Sequence, residues 1–348
     1  MKAGRNDLPW QVRDPYKVWL SEIMLQQTQV GTVIPYYLKF LERFPDLNAL
    51  ASTHEESVLE AWSGLGYYSR ARNLHRCARE VVNVYGGEFP TSLERLVALP
   101  GIGRSTAAAI AVFCFSSKEA ILDGNVKRVL SRVFAIAGIP TQSTTEKELW
   151  EIALQQLPNH GIKSYTQGLM DLGASLCTPR KLKCVKCPLS SICSAYQLGL
   201  THCLPSPKAR KLTPVREETF ALVIVAGRVL LEQQKSPGIW GGLLSFPKVD
   251  SLSTLTEVLG ETMPSPIEQV GFDHSFTHFK LRARIDLYRF PLHAAGDEVT
   301  HAALGPRAYY YSGLGQKYRL LSREKIAEAA LPQPIKAYLL NQAIEHFK

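Results

Sequence analysis

Four of the seven cysteines in this 348-residue chain fall in the run CTPRKLKCVKCPLSSIC, as Cys177, Cys184, Cys187 and Cys193, spaced C-x6-C-x2-C-x5-C. The N-terminus, MKAGRNDLPW, lacks the apolar stretch of a signal peptide, and in a reducing compartment clustered thiols point to metal rather than disulfides. Zinc sites usually pair two C-x2-4-C knuckles or combine cysteine with histidine, and only one C-x2-C is present. Four thiolates on one compact loop suit a 4Fe–4S cluster, with zinc as the alternative. Arg180, Lys181, Lys183 and Lys186 would offset the charge of a ligated cluster and give the loop a basic surface. Cys77, Cys114 and Cys203 share no such spacing and read as ordinary thiols.

Two carboxylates stand out next. Glu22 lies within YKVWLSEIMLQQTQV, in line with Gln26 and Gln29 at helical spacing, and Asp123 opens DGNVKRVLSRV. A glutamate usually ends on the surface, and an aspartate before an amphipathic helix is usually its N-cap. Two carboxylates in unlike surroundings are, however, what cleavage of a glycosidic bond requires, one as acid and one facing an oxocarbenium-like sugar. Spacing alone does not show that the two converge.

The elements that must carry these residues are legible in outline. Residues 11–198 read as mostly helical: Tyr16, Trp19, Leu20 and Ile23 share one helical face, and STAAAIAVFCF is apolar enough for a buried helix. Thr91 and Glu94 form a T-x-x-E capping box before a helix that stops at Pro100. In LPGIGRSTAAAIA, Gly101 and Gly103 flank Ile102 in a tight turn. Amides at the start of the following helix can hold a phosphate there, with Arg104 adding charge. WSGLGYYSRARNL repeats the G-x-G turn beside two tyrosines and two arginines, and together the two turns favour contact with DNA backbone without base reading. Residues 199–218 hold three prolines and no periodicity, and are expected to be a linker. TFALVIVAGRVLLEQQ then reads as a β-hairpin and HFKLRARIDLYRF as a strand.

Composition fits this division. Residues 1–218 carry 26 Lys and Arg against 19 Asp and Glu, and residues 219–348 carry 14 against 12, so the first part is the better candidate for a polyanion partner. No apolar run reaches membrane-spanning length, and a cytoplasmic, nucleoid-associated, bacterial protein is expected, with no membrane partner and a monomeric state.

SEIMLQQTQV, GLGYYSRARNL, LPGIGRSTA, ILDGNVKRVLSRV and the cysteine spacing occur in the order found in the endonuclease III superfamily of DNA glycosylases. With the second domain included, the chain resembles the MutY-type adenine DNA glycosylases over nearly its whole length. The resemblance implies a multidomain fold: an all-α helix-hairpin-helix glycosylase domain with an iron–sulfur loop (1–198), the 199–218 linker, and an α+β Nudix-like domain (219–348). It implies base-excision repair on double-stranded DNA, removing adenine opposite 8-oxoguanine or guanine, with a 4Fe–4S cluster held by the four cysteines. By the same resemblance Glu22 protonates the flipped adenine, Asp123 stabilises the sugar cation, and Asn125 sits beside it. Gln27 and Tyr67 enter the gap in the duplex, while Arg5, Leu8, Trp10 and Gln167 line the adenine pocket. Gly101, Gly103, Arg104 and Ser105 meet the DNA backbone.

Departures from the family pattern are informative too. Related glycosylases that also cut the strand place a lysine where Ser105 stands, so a monofunctional enzyme using water is expected. GIWGGLLSFPK (238–248) resembles the Nudix fold, but VDSLSTLTEVLGE follows where an R-E-x-x-E-E run of metal ligands belongs. Without clustered carboxylates the second domain should bind rather than hydrolyse. The family's Phe-Ser-His loop that meets 8-oxoguanine is here Phe276-Thr277-His278. Family members have a further helix before the Leu8-Pro9-Trp10 motif, and an upstream continuation of the reading frame is expected. The rival readings are a thymine-glycol-type glycosylase/lyase, a non-catalytic iron–sulfur regulator and a nucleotide hydrolase. Ser105 speaks against the first, the paired carboxylates against the second and the missing Nudix run against the third.

Overall fold

The structure, a computed structural model, describes residues 7–208, 212–225, 227–235, 238–249, 264–276, 278–290 and 317–343. The first half is helical: α1 Pro15–Leu25, α2 Val30–Arg43, α3 Leu47–Ser52, α4 Glu55–Ala61, α5 Ser69–Tyr85 and α6 Leu93–Ala98. It continues with α7 Arg104–Phe115, α8 Gly124–Val133, α9 Ser143–Gln155, α10 Ile162–Ser175 and the short α11 Ser194–Gln197.

Local chemistry explains the helices that matter. Asp14 caps α1 by accepting from the amides of Tyr16 and Lys17, and Pro15 takes a first-turn position where its missing N–H costs nothing. The expected face of Tyr16, Trp19, Leu20 and Ile23 is buried, and Val18, Ser21 and Met24 are buried with it. Helix α7 buries an unbroken run from Ala107 to Val112. Two expectations are corrected. Helix α1 ends at Leu25, so Gln26 is its C-cap and Gln29 the N-cap of α2, and neither continues the Glu22 face. The turn between them forces Gln27 to φ +57°. Helix α6 begins at Leu93, which puts Ser92 rather than Thr91 within reach of the Arg95 amide, at 3.4 Å.

The second half is built on a sheet: β1 Val215–Val225, β2 Arg228–Gln233, β3 Leu244–Ser245, β4 Glu268–Ser275, β5 Lys280–Phe290 and β6 Tyr318–Leu321. Helices α12 (Arg323–Ile326) and α13 (Gln333–Asn341) follow it. Among the described residues the strand order is β3-β2-β1-β5-β4, with β6 pairing β2. The expected hairpin is present: Val225 pairs with Arg228 across a turn where Gly227 has φ +67°. Strand β5 runs parallel to β1 along its full length and antiparallel to β4.

The chain divides into two compact units, 1–53 with 69–210 and 54–68 with 211–348. Residues 199–218 therefore split. The Ser206 amide donates to the Gly138 carbonyl and the Gly138 amide to Ser206 Oγ, both at 3.1 Å, which fastens that stretch to the helical unit. From Val215 onward the chain is already strand. Among the described residues no helix is long and apolar enough to cross a membrane.

Candidate active site

Helix α1 supplies Glu22 and the N-terminus of α8 supplies Asp123. Burial, and after it the charge of Asp123, push the Glu22 carboxyl up to about 8, so the two lie within electrostatic reach. Asp123 is the N-cap of α8, and its Oδ1 accepts from the Val126 amide at 2.7 Å. Burial raises its pKa as well, but the amides of Val126 and Asn125 and the charges of Arg128 and Lys127 all oppose the rise. Glu22 has no such donors among the causes of its shift. A proton shared by the pair therefore belongs on Glu22, and the negative charge belongs on Asp123.

Ser105, in the first turn of α7, holds the approach to Asp123 in place: its Oγ accepts from the Leu122 amide at 3.1 Å. Asn125 Oδ1 accepts from Arg128 Nη2 at 2.9 Å. Arg128 also donates to the carbonyls of Cys177 (2.7 Å) and Gly173 (2.8 Å), joining α8 to α10 and the cysteine loop. Gly173 makes the approach possible, because a Cβ there would lie 2.6 Å from Asn125 Cβ. On α10, Gln167 Nε2 donates to Asp171 Oδ1 at 2.9 Å. Leu8 precedes α1 and exchanges hydrogen bonds with Gln11. Trp10 is buried edge-on against Tyr37 of α2, at 5.3 Å between ring centroids. Arg5 lies outside the described residues.

Cys177, Cys184, Cys187 and Cys193 line one cavity with Val129, Arg132, Leu172 and Leu189. Arg132 is buried. Its Nη1 lies 3.3 Å from Cys177 Sγ and 2.9 Å from the Thr178 carbonyl, while Nε donates to the Leu204 carbonyl at 2.8 Å. Among the described residues no three His, Cys, Asp or Glu side chains are gathered for a single metal ion. An all-sulfur donor set spread around a cavity with a buried cation at its wall has the chemistry of an iron–sulfur cluster site. Arg180, Lys181, Lys183 and Lys186 are exposed on this loop, as the sequence suggested.

The α6–α7 connection turns at Gly101 (φ +77°), where a Cβ would lie 2.7 Å from Asn73 Cβ. Ile102 is buried beneath it, and Gly103 caps α7 with no side chain on the first-turn amides. Arg104 lies exposed over the Trp150 ring, 4.0 Å from its centroid. Gln27 and Tyr67 are both left-handed, at φ +57° and +50°, and Tyr67 is 43 % exposed. Non-glycine residues held this way cluster at functional sites. Sequence reasoning missed what supports Gln27. The buried Arg70 donates through Nη1 to the carbonyls of Ile23, Met24 and Gln26 (2.9, 3.0 and 2.6 Å) and through Nη2 to Thr28 Oγ1 (3.3 Å). The available signal was a charge on the apolar face of α5, beside Ala71 and Leu74. In the other unit, Phe276 and His278 sit at the β4–β5 connection, and Thr277 lies outside the described residues.

Residues 20–155 match the HhH-GPD superfamily of base excision DNA repair proteins, and residues 219–341 match the NUDIX domain. The chain is 38% identical over 294 residues to the adenine DNA glycosylase of Buchnera aphidicola subsp. Acyrthosiphon pisum, covering 83% of this chain and 84% of that one. The chain belongs to the adenine DNA glycosylase family. It is also 34% identical over 348 residues to the adenine DNA glycosylase of Homo sapiens, covering 81% of this chain and 64% of that one. Among solved structures, that of a thermostable thymine-DNA glycosylase matches 56% of this chain and 90% of its own, with a TM-score of 0.51 and 35% identity. Family membership gives the Glu22–Asp123 pair its context: an enzyme of base excision repair with a helix-hairpin-helix core and a Nudix-like second part.

Proposed function

We propose that this chain hydrolyses the N-glycosidic bond of adenine mispaired with 8-oxoguanine or guanine in double-stranded DNA, acting as a monofunctional glycosylase. The observation that carries the reading is the unequal carboxylate pair. Adenine leaves poorly until a ring nitrogen is protonated, and a carboxyl whose pKa is raised to about 8 holds that proton at neutral pH. Asp123, with amides and two cations around it, is suited to face the cationic sugar while water completes hydrolysis. Reaching the bond requires the nucleotide to leave the stack. Gln27 and Tyr67 are the residues proposed to fill the gap, and the amides after Gly101 and Gly103, with Arg104, to hold a phosphate. Ser105 cannot form a Schiff base, so strand cutting is not part of the reaction.

Cys177, Cys184, Cys187 and Cys193 are the proposed ligands of a 4Fe–4S cluster, which would supply no hydrolytic chemistry and would instead shape the basic loop. The C-terminal unit is proposed to read the partner base through Phe276, Thr277 and His278. Incubating the protein with duplexes containing A opposite 8-oxoguanine, followed by hot alkali, tests the whole reading. Strand breaks at the adenine only after alkali are expected. Glu22→Gln should bind the duplex yet release no adenine, because the amide keeps the shape and lacks the acid proton. Near-parental single-turnover rates in that variant would mean a different acid.

A further inference from the structure

The β4–β5 connection is closed by the Phe276 amide, which donates to the Phe279 carbonyl at 2.9 Å. The rings of Phe276 and Phe279 stack at 4.5 Å and 19°, and the guanidinium of Arg216, from β1, lies 4.5 Å over Phe279. Phe272, His274 and Phe276 take alternate positions at the end of β4, so they share a face, and all three are half-buried. Trp240 is the ring they share. Its centroid lies 6.4 Å from Phe272, 6.2 Å from His274, 6.0 Å from Phe276 and 5.7 Å from Phe220 of β1. Phe276 also meets His274 edge-on at 4.7 Å.

Trp240 reaches this position in an unusual way. Its φ is +55°, a conformation in which a bulky residue is an outlier and a glycine would be at ease. Gly241 and Gly242 follow immediately, so the connection has glycines at hand and still spends the strained position on an indole. Strain of this kind persists only where the surroundings over-determine it. What the position supplies is a ring packed against Phe276.

We propose that Trp240 is a specificity-determining positioning residue, whose ring fixes the loop between Phe276 and Phe279 so that His278 meets the base opposite adenine at one angle. The inference rests on the reading of that loop as the contact to the partner base. Guanine and 8-oxoguanine differ at N7, an acceptor in one and a donor in the other, and at C8, which gains a carbonyl. Discrimination between them depends on a few hydrogen bonds that weaken steeply with angle. A loop free to pivot would adapt to either base, whereas one locked by packing would not.

The test uses the full chain and single-turnover adenine release from two duplexes, A opposite 8-oxoguanine and A opposite guanine. Trp240→Leu should lower the ratio of the two rates severalfold and leave the guanine rate unchanged, with Trp240→Phe falling between it and the parent. Phe276→Ala reports on the loop itself and should also lose the preference. A parental ratio in Trp240→Leu beside a lost ratio in Phe276→Ala overturns the role of Trp240 and leaves the loop reading standing. A parental ratio in Phe276→Ala overturns the loop reading. Equal loss on both duplexes in Trp240→Leu makes the residue merely structural and also overturns the proposal. Should the leucine variant fail to fold, Trp240→Phe carries the test, and a ratio equal to the parent's overturns it.

Discussion

At the scale of single residues, the proposed chemistry comes down to where one proton sits. Glu22 holds it because burial and the Asp123 charge both raise its pKa, to about 8 from an ordinary 4.5. Adenine release under single-turnover conditions should therefore be level below that value and fall as pH rises through it, losing tenfold per unit once Glu22 is mostly ionised. A rate that stays flat to pH 10 would remove Glu22 as the acid. The same shift acts on stability in the same direction. The folded state retains a proton between 4.5 and about 8 that the unfolded chain has lost, so this contribution is full below 4.5 and disappears as pH rises to about 8. Glu22→Gln should flatten that part of a pH-stability curve. The sequence offered both carboxylates as candidates but could not bring them together, because their approach depends on the tertiary packing of the helices that carry them. Arg70 went unseen for a related reason: its charge on the apolar face of α5 was the one signal, and its carbonyl partners on Ile23, Met24 and Gln26 leave no mark in a side-chain pattern.

At the scale of elements, α8 ties the proposed chemistry to the cysteine loop. Its N-terminus presents Asp123, and one and two turns later Arg128 and Arg132 reach the Cys177 carbonyl and sulfur. The Asp123 cap was legible from Asp-Gly before an amphipathic run, whereas nothing in the spacing of Arg128 and Arg132 marks their reach to the cysteine loop. The α6–α7 connection was also legible, since glycines around a buried Ile102 suit the turn observed. What the sequence did not show is that the guanidinium of Arg104 lies over Trp150, from α9. That contact occupies the planar face and leaves the N–H edge to meet a phosphate. Arg104→Ala should flatten the log–log dependence of duplex binding on salt by about one unit, the value for one lost phosphate contact. Arg104→Lys should keep most of the slope, because the charge remains. An unchanged slope in the alanine variant would take Arg104 off the contact surface.

At the scale of the whole molecule, one division falls at 210/211, inside the stretch where the composition changes, and a second grouping crosses it. Residues 54–68 group with 211–348. Ser63 Oγ and Tyr68 Oη both donate to the Leu331 carbonyl, at 3.4 and 3.3 Å, Lys336 Nζ reaches Ser63 Oγ at 3.4 Å, and Arg319 pairs with Glu56. No local pattern could reveal this, because the partners are more than 260 positions apart in sequence. The grouping matters because the segment carries Tyr67, proposed to enter the duplex. A boundary drawn at residue 219 implies that deleting 219–348 would cost the preference for 8-oxoguanine more than the chemistry. The contacts of residues 54–68 imply more: the deletion also strips the Tyr67 segment of the groups that hold it. Each of those hydrogen bonds contributes about 0.5–1.5 kcal/mol, and losing several at once should leave Tyr67 poorly presented. The shortened chain should therefore release adenine opposite guanine at least tenfold more slowly than the full chain, unlike Phe276→Ala, which should alter only the preference. Tyr68→Phe with Lys336→Met in the full chain should reproduce part of the guanine deficit while preserving the ratio between the two duplexes. A truncated chain that matches the parent opposite guanine would show that the helical unit presents Tyr67 unaided.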